Sequence, residues 1–126
     1  MDKEYINMPD ALNLPFSSAV KAGDFIYVSG QVGHIDSNGN RVEGIEAQTN
    51  QCMENIRKIL DQVDSSFDDI VKVTIYLKDV KYYAKMNEVY SKYFFSRMPA
   101  RSTAIAGLAM PEMLIEIDCV VYRRLI

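Results

Sequence analysis

The segment Pro99-Ala100-Arg101-Ser102-Thr103 sets a guanidinium behind a rigid Pro-Ala step, at the opening of an apolar stretch. A guanidinium presents a planar fork of N–H donors that matches a carboxylate two bonds at a time. An ordinary surface ion pair fits the same residue type. Fifteen residues on, Leu114-Ile115-Glu116-Ile117-Asp118-Cys119-Val120 reads as a strand. Glu116 and Asp118 then share one side, and Ile115, Ile117 and Cys119 the other. A solvent-facing row explains the two acids. That row also holds Leu114, Val120 and Tyr122, however, and a carboxyl group among apolar neighbours gains a raised pKa and can act on water. If the two strands pair as a hairpin, Arg101 and Glu116 approach each other; register is not set by sequence alone. A cation for a substrate carboxylate and a carboxylate for water make a hydrolytic pair that needs no metal.

Two further positions bear on such a site. Ser29-Gly30-Gln31 closes a strand, and Gly30 lets a ligand come close to the backbone, although a strand-end bulge accounts for it equally well. Asn87 lies four residues after Tyr83 and three before Tyr90, at the border of an inner helical face. An amide bonded to nearby backbone is the alternative.

Other chemistries find little support. The single histidine, His34, leaves no set of His and Cys ligands for zinc and no nucleophile-elbow motif for a Ser-His-Asp triad. A net charge of −3 and scattered Lys and Arg, adjacent only at Arg123-Arg124, argue against a nucleic-acid groove. Cys52 and Cys119 sit in apolar runs and read as small buried hydrophobes. The charged start, Met1-Asp2-Lys3-Glu4, lacks a following apolar core, and no stretch has the ~20 apolar residues of a membrane span. A cytoplasmic location is therefore expected.

These residues need elements to hold them. The 126 residues, 48% apolar and 25% charged, suit one domain over 1–126. From Gly44 to Val63 a stripe of Ile45, Thr49, Cys52, Met53, Ile56, Ile59, Leu60 and Val63 predicts a helix. A second spans Val80 to Phe95, capped by Asp79, with Tyr83, Met86, Tyr90, Tyr93 and Phe94 inward. Strands are expected at Tyr5–Asn7, Ser18–Val20, Phe25–Ser29, Ile70–Leu77, Arg101–Ala109 and Leu114–Tyr122. In Ile70–Leu77, Val71, Val73, Ile75 and Leu77 should share one face. The order β-β-β-α-β-α-β-β places two helices on one face of a mixed sheet. The other face is left to solvent or to another subunit.

Several segments together resemble the RidA/YjgF family, also described as L-PSP endoribonuclease-like proteins. They are Val28-Ser29-Gly30-Gln31, Ala47-Gln48 with Asn55-Ile56, Asp69-Ile70-Val71-Lys72, Tyr76-Leu77-Lys78-Asp79, Met86-Asn87-Glu88-Val89-Tyr90, Pro99-Ala100-Arg101-Ser102 and Ile115-Glu116-Ile117. The resemblance covers nearly the whole chain, with Ala104 standing where a larger apolar residue is usual. It implies a chorismate-mutase-like α+β fold and a homotrimer with clefts between subunits. It implies hydrolysis of 2-imino or 2-enamino acids to 2-keto acids and ammonia, with no cofactor. Arg101 then matches the carboxylate clamp and Glu116 the residue that positions water. Phe16, Ser29, Gly30, Asn87 and Thr103 match positions that line the substrate pocket. Phe16 stands where the imine deaminases have a tyrosine and Thr103 where they have a cysteine, which points to a related subfamily, a shifted substrate or a slower enzyme. A regulatory trimer that only binds a small carboxylate is the alternative, and an endoribonuclease or translation inhibitor a more distant one.

Overall fold

Alternation along Ile115–Tyr122 governs the architecture. Ile115, Ile117, Cys119 and Val121 are each at most 2% exposed, while the residues between them turn to the opposite face. Period-two patterning of this kind is stable only where one sheet face is covered. The computed structural model, which describes residues 3–9 and 13–123, shows how it is covered. Six strands form one sheet: β1 (Lys3–Ile6), β2 (Ala19–Ala22), β3 (Phe25–Val32), β4 (Ile70–Leu77), β5 (Ala100–Ile105) and β6 (Ile115–Tyr122). Their spatial order is β1-β2-β3-β6-β4-β5. All neighbours are antiparallel except β4 and β5, which run parallel.

Helices α1 (Ile45–Gln62) and α2 (Tyr83–Ser91) lie on one face. The stripe of α1 is buried as its spacing requires, and Met86, Tyr90 and Phe94 bring the second helical segment into the same core. The fold is thus the expected α+β arrangement. Gln48 is also buried, at 2% exposure. Its amide donates to the carbonyls of Val42 and Glu112 and accepts from the Leu114 amide, so it ties two segments to α1 with no polar atom left over.

Three features differ from expectation, each for a local reason. Asp79 does cap, accepting from the Lys81 amide at 2.9 Å, but the first turn it nucleates is a 3₁₀ turn over Val80–Tyr82. Beyond Ser91, Tyr93 and Phe94 bond back three residues instead of four, so α2 tightens and stops before Phe95. A bulge between Ile70 and Lys72 turns Ile70 into the core and leaves Val71 43% exposed, against the expected inward position. The hairpin of β2 and β3 closes at Gly23, whose φ of 61° is open to glycine without steric cost.

The largest correction concerns the last two strands. β5 and β6 do not pair as a hairpin; β4 lies between them. β5 ends at Ile105, well short of Ala109, and runs along the outer edge of the sheet.

Among the described residues no helix is long and apolar enough to cross a membrane. Both thiols are buried and unbridged. Burial pushes Cys119 up to about 12, helped by the negative charge of Asp118. Burial likewise raises Cys52, whose Sγ donates to the Gln31 carbonyl.

Candidate functional site

Strand register places Arg101 first. It stands beside Val73 of β4, a residue of the helix-covered face, and is therefore carried on that face at the sheet edge. The guanidinium lies over the ring of Tyr90, 5.0 Å from its centroid, and beside Tyr83, 5.7 Å away. Nη2 donates to the Tyr83 hydroxyl at 3.2 Å. Among the described residues the one ion pair is Glu54–Arg57, so Arg101 has no carboxylate of its own. A cation bedded on aromatic faces keeps part of its attraction for an anion. Tyr83, Asn87 and Tyr90 are spaced along one stripe of α2. The Asn87 Oδ1 on that stripe is buried and has no hydrogen-bond partner among the described residues. Thr103 sits two residues beyond Arg101 and shares its face, beside Ile75.

Glu116 belongs to a different place. It pairs with Tyr76 of β4 and Val32 of β3, and it alternates with the buried Ile115 and Ile117. Its side chain is therefore on the face the helices leave uncovered. Its carboxyl pKa is raised, first by burial and then by the charge of Asp118. Asp118 is raised by burial as well, partly offset by a Thr74 hydrogen bond and by Lys72. Folding that raises a carboxyl pKa favours the protonated group, so this contribution to stability exists at low pH and is lost as pH climbs through the folded-state value. Asp118→Asn is therefore expected to raise the melting temperature at pH 7. The gain should vanish below about pH 4, where both carboxyls are protonated anyway; calorimetry across that range checks it.

Gly30 joins Glu116 to a second feature. The Glu116 carboxylate occupies the space a Cβ at Gly30 would need. Gly30 also lines a cleft of about 560 Å³ with Phe16, Met8, Leu14, His34 and Ile59. Phe16 is 51% exposed at this cleft. Ser29 does not present its proton there: its hydroxyl donates to the Ser17 carbonyl at 2.6 Å and its amide to the Ser18 carbonyl at 3.0 Å. Its role is to hold the segment before β2, which carries Phe16, against β3.

The residues proposed from sequence thus fall into two groups. Arg101, Asn87 and Thr103 gather at β5 and α2; Glu116, Gly30, Ser29 and Phe16 gather around β3 and β6. Two strand spacings, about 9–10 Å, and the thickness of the sheet lie between Arg101 and Glu116. The approach expected from a hairpin does not occur within one chain. The aromatic bed of Arg101 went unassigned at the sequence level. Tyr83 and Tyr90 were both expected on an inner stripe; Tyr90 is buried there, whereas Tyr83 lies at the exposed edge, and their link to Arg101 needs the parallel pairing of β4 and β5. Among the described residues no three His, Cys, Asp or Glu side chains gather closely enough to hold a metal ion.

Comparison with known proteins matches this arrangement to a family. The family model described as Endoribonuclease L-PSP matches residues 6–123. The chain belongs to the RidA/YjgF family. A RutC family protein of Pyrococcus abyssi is 44% identical over 111 residues, covering 87% of each chain. Reactive Intermediate Deaminase A of the Arabidopsis thaliana chloroplast is 38% identical over 113 residues, covering 89% of this chain and 60% of the relative. The crystal structure of a YjgF family member from Neisseria meningitidis superposes with a TM-score of 0.85 at 31% identity, over 100% of this chain and 98% of that one. The six-stranded RidA/YjgF sheet with its two helices is thereby common to this chain and its solved relative.

Proposed function

We propose that this chain hydrolyses 2-imino and 2-enamino acids to 2-keto acids and ammonia, with no metal or cofactor, in clefts between the subunits of a homotrimer. The observation that carries the reading is Arg101: a cation on an aromatic bed, at a sheet edge, with no carboxylate partner among the described residues. A relative named Reactive Intermediate Deaminase A supports the chemistry. The uncovered sheet face supports the assembly, since Tyr5, Phe25, Tyr27 and Tyr122 are each at least 40% exposed there.

In this reading Arg101 of one copy binds the substrate carboxylate. Glu116 of a neighbour holds a water against the imino carbon. The water oxygen adds to that carbon as Glu116 takes one of its protons, giving a tetrahedral amino alcohol. The carbon–nitrogen bond then breaks, the carbonyl forms, and the proton leaves with ammonia. The iminium carbon is already electrophilic, so orientation of the two partners supplies most of the acceleration. A carboxylate of raised pKa suits this exchange, because it is a stronger base toward the proton of the attacking water. The pocket-lining roles of Phe16, Ser29, Gly30, Asn87 and Thr103 are part of the same proposal.

The test is to generate 2-iminobutyrate in solution and follow 2-oxobutyrate formation. The protein is expected to accelerate it, and Glu116→Gln to slow the catalysed rate roughly 100-fold. Acceleration absent from wild type, with the imine bound but not turned over, would leave only the carboxylate-binding reading. The ribonuclease reading has against it the net charge of −3.

A further inference from the structure

Tyr83 does something the Arg101 clamp alone does not require. Arg101 Nη2 donates to its hydroxyl oxygen at 3.2 Å. A phenol has one proton to give, and here its oxygen is the acceptor. Its own O–H is thus left over, and no described residue accepts it in a hydrogen bond. An O–H whose oxygen binds a cation is polarised into a better donor. Tyr83 is 45% exposed, so that O–H reaches the same open edge as the guanidinium. The guanidinium also packs on the Tyr90 ring, 5.0 Å from its centroid.

Resting on the proposed carboxylate-binding role of Arg101, we propose that Tyr83 is a second carboxylate-binding residue. It turns the guanidinium so that its remaining N–H groups face outward, and it donates its O–H to a carboxylate oxygen of the substrate. The site then selects 2-imino and 2-keto acids over neutral analogues with three aimed donors instead of two.

The experiment compares wild type, Tyr83→Phe and Arg101→Ala. Each is titrated with 2-oxobutyrate and with the neutral 2-oxobutanamide, and assayed with 2-iminobutyrate. Tyr83→Phe keeps the ring, and thermal melting verifies its fold. It is expected to bind 2-oxobutyrate about tenfold more weakly, to bind the amide unchanged, and to raise KM about tenfold with kcat within about twofold. Unchanged 2-oxobutyrate affinity in Tyr83→Phe overturns the proposal. So does an equal loss for acid and amide, which marks a packing effect. If Arg101→Ala binds 2-oxobutyrate like wild type, or wild type does not bind it, the underlying carboxylate reading fails and this inference with it. A loss in Arg101→Ala without one in Tyr83→Phe removes Tyr83 alone.

Discussion

Arg101→Ala is expected to lower imine hydrolysis by at least about 100-fold. Two charge-assisted hydrogen bonds are worth about 3–5 kcal/mol between them, and each 1.4 kcal/mol is a factor of ten in rate. The fold should survive, because Arg101 lies at the sheet edge and makes no ion pair among the described residues. Placement on opposite faces adds a sharper expectation. Arg101→Ala and Glu116→Ala are both impaired as pure proteins. Unfolded together and refolded as a mixture, they should regain activity. With random assortment, roughly a quarter of the interfaces pair an intact Arg101 with an intact Glu116 from another copy. Keto-acid formation by the mixture well above the mean of the two pure variants is the expected result. A mixture no better than that mean would show that the two side chains do not serve one site across copies.

The second large effect concerns folding. Gly33 is buried, and a Cβ placed there would overlap the backbone carbonyl oxygen of Gln48 in the first turns of α1. Backbone cannot swing aside as a flexible side chain does. Gly33→Ala must therefore push the start of α1 off the sheet. That movement also strains the three hydrogen bonds through which Gln48 holds Val42, Glu112 and Leu114. Overpacking and weakened buried bonds together should cost about 2–4 kcal/mol. The melting temperature would fall on the order of 10 °C. Thermal unfolding followed by circular dichroism measures it, and a shift of a degree or less would mean that the helix accommodates the methyl group.

Much of this molecule was readable from spacing. The buried stripe of α1, the alternation of β6 and the cap at Asp79 are local patterns, and each emerged where the residues placed it. What spacing does not encode is which strands become neighbours. Leu114–Tyr122 follows the Arg101 strand closely in the chain, so a hairpin was the simplest pairing. The parallel pairing of β4 with β5 becomes possible because α2 carries the chain back between them. That step decides which face Arg101 takes and gives it the rings of Tyr83 and Tyr90. The bulge that exposes Val71 is similarly non-local, as it depends on the register of β6. The candidate site was therefore legible as a set of residues, and their division into two groups was not.

The separation of those groups along the strand order of the sheet has a consequence for how selectivity can change. The Phe16 cleft and the Arg101 edge have no wall in common within a chain. Substitutions at Phe16 or Leu14 can reshape the space offered to a substrate's side chain while the grip on its acid group keeps its packing. Enlarging one compartment and tightening the other are then independent routes of adaptation, open to drift or to design one residue at a time.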